Sequence, residues 1–349
     1  MFPGKNARQP CCAVQSEKVL KITVPAELLN FIKTGERFIV AGHKQPDGDC
    51  IGSQLALRSA LERLGKQAVA CSAGPFDRLE VKPYAKFFTP VGEVENTPDT
   101  RVILVDSSSI KRTGDLESFL KGLPIAVIDH HSKFEYQAVA QKDLEQKPNF
   151  LDETKPSCTI LVQAVIEELG IGITEEEAEL LFLGLCTDTG FFRHLSSANG
   201  EVAFQSAARL AAAGANAKKT FNTINSGKGL NSRILLGHIL ARAETFFDGK
   251  LVLSYESPEE TKSFGAEGRD SDSLYSLLLS VKGVEAIAII RQESPENCVV
   301  GLRSADKIDV SSIAASLGGG GHKNAAGLST AGTISEVKGK IMEAFAEVF

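Results

Sequence analysis

Residues 36–65, ERFIVAGHKQPDGDCIGSQLALRSALERLG, read as one βα unit. Phe38 to Ala41 is a short apolar run, a polar loop follows, and apolar residues then recur at helical spacing from about Ile51 to Leu64 before Gly65 closes the helix. Three further short apolar runs lie in KQAVACSAG (66–74), RVILVDSSS (101–109) and PIAVIDHHS (124–132), with Pro, Gly and charged residues between them. Runs apolar on both faces, alternating with helical stretches, predict an α/β fold with a parallel, doubly wound sheet.

Downstream the pattern turns helical, in PSCTILVQAVIEELG (156–170), TEEEAELLFLGLCTDTG (174–190) and NGEVAFQSAARLAAAG (199–214). Thr174 and Glu177 have the spacing of a capping box. After the turn signal Asp248-Gly249 a new pattern begins: strand KLVLSYE, a helix near 271–281, strands EAIAII and NCVVGLRS, helix DVSSIAASLG, the run GGGGHKNAAG and a last helix. This predicts a smaller mixed α/β domain over 248–349, joined by a linker with a connecting helix over 221–247 to a first domain over 19–220. His238 falls in that helix and reads as structural. Residues 1–18 read as a flexible leader.

With 349 residues, 43% of them hydrophobic, the chain can bury two ordinary cores. A net charge of -6 argues against a protein that coats long nucleic acid, and leaves room for a local basic pocket for a short phosphorylated ligand. Seven scattered cysteines without a C-x-x-C pair suit reduced thiols in a cytosol, so Cys158 and Cys186 read as small core residues. The expected setting is cytoplasmic, with no membrane span.

In such sheets ligands sit outside the carboxyl ends of the strands. After FIVA come His43, Asp47 and Asp49; after VILV comes Asp106; after IAVI come Asp129, His130 and His131; and after the apolar helix LLFLGLCT comes Asp188. Singly, each has a plain reading: PDGD is a good turn, and an Asp after a strand is usually a cap. Capping does not require imidazoles and carboxylates at one sheet edge, and carboxylates gathered in one cleft need a counter-charge. Asp47, Asp49, Asp106 and Asp188 carry the formal charge of two divalent cations, and with His43 and His130 form a mixed oxygen and nitrogen set suited to Mn²⁺, Mg²⁺, Fe²⁺ or Zn²⁺. Two metals about 3.5–4 Å apart activate water and clamp the oxygens of phosphoryl transfer. The chemistry expected is metal-assisted hydrolysis of a phosphate ester, by a hydroxide held between the two metals.

Gly318, Gly319, Gly320 and Gly321 before His322 let backbone N–H groups approach an anion; alone, such a run is more often a turn. Together with Arg303 at a strand end and Arg193 after TGFF, it reads as a phosphate clamp that closes over the substrate. Phe191 or Phe192 is a candidate to pack a base. SGKGLNS (226–232) does not fit a phosphate-binding P-loop and reads as linker.

GHKQPDGDCIGS (42–53), the isolated Asp106, DHH (129–131) and CTDTGFF (186–192) resemble, in order, the four motifs of the DHH phosphoesterase family, and LRSADKIDVSSIAASLGGGGHKNAAG resembles its DHH-associated C-terminal domain. Within the family, the length and the absence of an added nucleic-acid-binding domain resemble the small nano-RNase members, which also dephosphorylate 3′-phosphoadenosine 5′-phosphate. The resemblance implies that His43, Asp47 and Asp106 hold one metal and that Asp49, Asp106, His130 and Asp188 hold the other, with Mn²⁺ expected ahead of Mg²⁺. It further implies that Asp129 orients an imidazole, that His131 faces substrate phosphate, and that catalysis rests on Asp49, Asp106 and His131. Short single-stranded RNA and phosphorylated nucleosides are the expected partners, and a homodimer is compatible with the sequence. The alternatives are a phosphodiesterase for cyclic or linear dinucleotides, and a metal-dependent nucleotide sensor without turnover.

Overall fold

The computed structural model describes residues 21–95, 97–131, 148–264, 269–305 and 307–349, and divides after Gly227 into two units. The leader expected over 1–18 lies outside the described residues. In the first unit, α1 (Ala26–Thr34) precedes β1 (Arg37–Ala41), α2 (Gly48–Arg63) and β2 (Gln67–Cys71). β3 (Thr100–Val105), β4 (Ile125–Asp129) and β5 (Asn149–Leu151) complete a sheet of order β2-β1-β3-β4-β5 with every pair parallel. The helices that follow are α3 (Cys158–Glu168), α4 (Glu175–Asp188), α5 (Gly200–Ala212) and α6 (Ala217–Asn225).

The two-sided apolar runs do what their pattern dictates. Phe38, Val40, Ile103, Val105, Ala126 and Ile128 face one core together with α2, α3 and α4. Their neighbours Ile39, Ala41, Val102, Leu104, Ile125 and Val127 face a second core with Leu116 and Leu120, from the helical turns that follow β3. Each such Ile, Leu or Val contributes roughly 1.5–3 kcal/mol by leaving water. The expected capping box forms at α4, where the Glu177 carboxylate also takes two N–H bonds from Arg63, at 3.0 and 2.9 Å.

Every residue of α2 from Gly48 to Leu57 is buried, so this part of the helix is enclosed on all sides, while Glu62 and Arg63 at its end are exposed. It lies against α4 because no side chain separates them. A Cβ on Gly52 would stand 2.4 Å from the Leu180 carbonyl oxygen, and one on Gly184 would stand 2.5 Å from the Thr159 Cγ2 and 2.9 Å from the Asp49 Oδ1. This close crossing brings Asp49, near the start of α2, toward Asp188, at the end of α4. Gly184→Ala is expected to destabilise the fold by about 1–3 kcal/mol through overpacking and to displace Asp49; thermal unfolding with and without manganese checks both effects.

The second unit holds α7 (Leu230–Ala241), β6 (Glu244–Phe246), β7 (Leu251–Glu256), α8 (Pro258–Phe264), α9 (Ser271–Leu279), β8 (Ala286–Ser294) and β9 (Asn297–Ser304). α10 (Val310–Ser316), β10 (Gly320–His322), β11 (Ala325–Ala331) and α11 (Ile334–Ala346) follow. Its sheet runs β10-β11-β9-β8-β7-β6, mixed because β7 and β8 pair in parallel and the other pairs are antiparallel. The helix of the 221–247 segment is anchored in this unit. Leu235 and Ile239, one turn apart, are buried with Leu274, Leu278 and Ile287.

The glycine run is not wholly a loop, as its composition suggested. Gly320–His322 forms an edge strand, and a Cβ on Gly319 would stand 2.4 Å from the Gly327 carbonyl oxygen, while one on Gly321 would stand 2.5 Å from the Ala326 Cα. Close strand pairing is what requires glycine at these two positions.

Candidate metal centre

The chain leaves β1 toward β2 on one side and returns to β3 on the other, so the crevice beyond β1 and β3 is the switch point of the first sheet. His43 follows β1, and Asp106 follows β3 with its backbone in the left-handed region at φ 54°. That conformation is uncommon outside glycine, although Asp tolerates it better than most. The Asp106 carboxylate then reaches both ways: Oδ2 lies 3.3 Å from the His43 Nε2, and Oδ1 lies 3.5 Å from the His130 Nε2 and 3.6 Å from the His131 Nδ1. The His130 Nε2 is also 3.6 Å from the Asp49 Oδ2 and 3.3 Å from the Asp188 Oδ2.

Backbone carbonyls set the imidazoles. A carbonyl oxygen only accepts, so the ring nitrogen beside it carries the proton. The His43 Nδ1–H donates to the Lys44 carbonyl at 2.8 Å and the His130 Nδ1–H to the Lys155 carbonyl at 3.2 Å, which turns both Nε2 atoms toward the carboxylates. Outer hydrogen bonds of this kind orient metal-binding histidines. His131 is held differently, because the Asp129 Oδ1 accepts both its backbone N–H, at 3.2 Å, and its Nδ1–H, at 2.8 Å. The two adjacent imidazoles thus take different outer partners, although their rings stay 4.7 Å apart and both face the Asp106 Oδ1.

Asp49 is gripped by the N-terminus of α3, whose Cys158 and Thr159 backbone N–H groups donate to its two oxygens at 2.6 and 2.9 Å. Asp47 caps α2, its Oδ1 accepting from the Asp49 and Cys50 N–H groups, and lies 3.9 Å from the His43 Nε2. The cap reading is realised, and it occupies only one of the two oxygens.

Crowded negative charge perturbs the whole cluster. Burial, then the Asp106 charge, pushes the Asp49 carboxyl up to about 7; burial, then the Asp49 charge, pushes Asp188 up to about 8. Burial works against protonated His43 and His130, yet Asp106 and its neighbours outweigh it and hold them up to about 12 and about 10. Burial likewise opposes ionised Asp106, and the two histidines hold its carboxyl well below the ordinary range all the same. Even so, the Asp106 Oδ1 and the His130 Nε2 are buried polar atoms with no hydrogen-bond partner among the described residues. Such atoms are costly unless something else satisfies them. Three groups of donors lie close enough to share an ion: His43, Cys50 and Asp106; Asp106, His130 and His131; and Asp49, His130 and Asp188.

Cys50 is a member that sequence reasoning left out. Burial first pushes its thiol up to about 12, so at neutral pH it stands beside His43 as a neutral group. Arg193 lies exposed on the turn after α4, its Nε donating to the Gly190 carbonyl at 3.1 Å. Phe191 and Phe192 in that turn both have left-handed backbones, and both rings pack on other phenylalanines, Phe191 on Phe221 and Phe192 on Phe204. In the second unit the Arg303 guanidinium lies over the Tyr275 ring, 4.5 Å from its centroid, while Gly320, Gly321 and His322 are exposed. His238, in α7, bonds the Glu260 carboxylate at 3.0 Å.

Carboxylates and imidazoles gathered at the switch point of a parallel sheet, with unsatisfied atoms directed at one another, define a metal-dependent phosphoesterase. The chain belongs to the DHH family: the family's N-terminal domain matches residues 37–185, and the DHHA1 domain matches residues 248–349. It is 30% identical over 333 residues to the bifunctional oligoribonuclease and PAP phosphatase NrnA of Thermus thermophilus, covering 94% of each chain. An exopolyphosphatase-related protein from Bacteroides fragilis shares the fold with a TM-score of 0.75 and 23% identity, over 92% of this chain and 94% of the other. Exonuclease RecJ bound to manganese is a more distant fold neighbour, with a TM-score of 0.50 and 16% identity over 94% of this chain and 96% of the other. No helix among the described residues is long and apolar enough to cross a membrane.

Proposed function

We propose that this chain trims short oligoribonucleotides to mononucleotides and removes the 3′-phosphate of 3′-phosphoadenosine 5′-phosphate, leaving the 5′-monophosphate. The observation that carries the reading is the pair of buried, unsatisfied atoms, the Asp106 Oδ1 and the His130 Nε2, set among further carboxylates. Similarity to a protein with both activities supports the choice of substrates.

His43, Asp47 and Asp106 would hold one divalent cation, and Asp49, Asp106, His130 and Asp188 the other, with Mn²⁺ preferred to Mg²⁺. Bound there, the cations supply Lewis acidity and a water of lowered pKa. Asp106 divides its two oxygens between the halves of the site. Asp49 is kept in place by the N-terminus of α3, and Asp129 fixes His131 so that its other nitrogen is turned toward the scissile phosphate. Burial works against a charged His131, but Asp129 and Asp106 raise its pKa above the ordinary value, which favours an imidazolium facing a phosphoryl oxygen. Arg193, Arg303, Gly318 to Gly321 and His322 are assigned to phosphate binding. The setting proposed is the cytoplasm.

Around pH 7 the cluster carries protons on His43 and His130 and partly on Asp188 and Asp49, whose pKa values are raised to about 12, 10, 8 and 7. Cations must displace them, so manganese binding should strengthen as pH rises toward 8 and release at least one proton per chain. Calorimetry in two buffers of different ionisation enthalpy measures that number; zero would contradict the ligand set. The function itself is tested by turnover of a linear diribonucleotide, a cyclic dinucleotide and the 3′,5′-bisphosphorylated nucleoside with Mn²⁺, Mg²⁺ and Zn²⁺. Hydrolysis of the first and third is expected. Preference for the cyclic compound would replace this reading with that of a cyclic-dinucleotide phosphodiesterase, and binding without turnover would make the protein a sensor.

A further inference from the structure

Beside His43, the loops after β1 and β2 and the helical turns after β3 enclose a cavity of about 480 Å³, lined by Lys44, Arg78 and Arg112 with Pro46, Pro75 and Asp77. Lys44, Arg78 and Arg112, together with the His43 ring, face it against one carboxylate. None of the first three has a side-chain hydrogen bond or ion pair among the described residues, and Arg112 is half-buried. A half-buried guanidinium without an anion is an unusual feature, because its desolvation is not repaid within the fold.

The cavity is also preformed. The Lys44 N–H donates to the Arg112 carbonyl at 2.7 Å and the Gln45 N–H to the Gly74 carbonyl at 2.8 Å, which pins all three segments together. Gly114 has φ 65°, and a Cβ there would stand 3.2 Å from the Lys44 Cβ, so the lysine is laid directly over this turn. The carbonyl of Lys44 is the one that orients His43. One residue thus serves the acidic cluster with its backbone and the basic cavity with its side chain.

The substrates proposed above carry more than one phosphate. The carboxylate cluster repels any anion except where cations neutralise it, so a phosphate that is not being cleaved must find its counter-charge elsewhere. From this we infer that the Lys44, Arg78 and Arg112 cavity binds the non-scissile phosphate: the 5′-phosphate of a 3′,5′-bisphosphorylated nucleoside, or the neighbouring phosphodiester of a short RNA. The inference rests on the proposed function and adds a determinant of specificity to the same site. Guanidinium groups suit phosphate through paired, charge-assisted hydrogen bonds.

The test compares kcat/KM for adenosine 3′,5′-bisphosphate and adenosine 3′-monophosphate in wild type, Lys44→Gln, Arg78→Gln and Arg112→Gln with manganese. Lys121→Gln, an exposed lysine outside the cavity, controls for loss of bulk charge. Wild type and the control should prefer the bisphosphate. Arg112→Gln and Lys44→Gln should cut that preference at least tenfold, chiefly through KM. A preference unchanged in all three cavity variants overturns the inference while leaving the function standing. If wild type hydrolyses neither compound, the functional reading fails, and titration of adenosine 5′-monophosphate decides the cavity separately: tenfold weaker binding to Arg112→Gln upholds it, and equal binding overturns it.

Discussion

Replacing Asp106 by Asn is expected to lower manganese-dependent kcat/KM by at least roughly 10³-fold, about 4 kcal/mol of transition-state stabilisation. The amide keeps the size of the carboxylate, so the left-handed backbone at φ 54° and the packing around it are preserved. What changes is charge and donor pattern. Asp106 is the residue whose oxygens lie close to His43 on one side and to His130 and His131 on the other. An amide offers one neutral oxygen in place of two anionic ones, and its NH₂ would face an imidazole nitrogen or a cation. Both proposed metal positions therefore weaken together. Circular dichroism should report an intact fold, and calorimetry should report loss of manganese binding rather than a modest fall. Turnover above a tenth of wild type would show that the two halves of the site do not share this residue.

What the sequence made legible in the candidate site is the residues that follow an apolar run. His43, Asp106 and His130 come just after strands, and Asp188 ends a helix, whose periods are plain, and parallel strands place their carboxyl ends on one edge. What fixes these residues in space was not legible. Asp49 is held by N–H groups 109 and 110 positions away, and no local pattern announces that contact. Gly52 and Gly184 look like weak points in two helices, yet they are what lets α2 and α4 meet closely enough to bring Asp49 and Asp188 together. The carbonyls of Lys44 and Lys155 carry no side-chain signal at all, although they decide which imidazole nitrogen faces the cluster. For Asp47 the cap expectation is realised, through its Oδ1 alone, and the residue stands outside the three groups of donors close enough to share an ion. The glycine run shows the reverse error, since composition suggested a loop where pairing with β11 imposes a strand.

Neighbouring histidines should fail in different ways. His130→Ala removes a nitrogen that lies 3.3–3.6 Å from oxygens of Asp49, Asp106 and Asp188, three carboxylates whose mutual repulsion it now offsets. Its loss should weaken manganese binding by roughly 10- to 100-fold, on the scale at which even outer partners of metal ligands act, and turnover should recover in part at high manganese. His131→Ala leaves those contacts in place. The Asp129 carboxylate loses its imidazole partner, the phosphate loses a cationic donor, and kcat should fall by about 10²–10³-fold, the scale of removing one transition-state hydrogen-bond donor, with manganese affinity within about threefold of wild type. Excess metal should not rescue it. The pair is informative because a shared structural role would make both variants lose metal, stability and turnover in parallel. Manganese titrations followed by turnover at saturating metal separate the cases, and parallel losses would remove the distinction drawn from Asp129 and the Lys155 carbonyl.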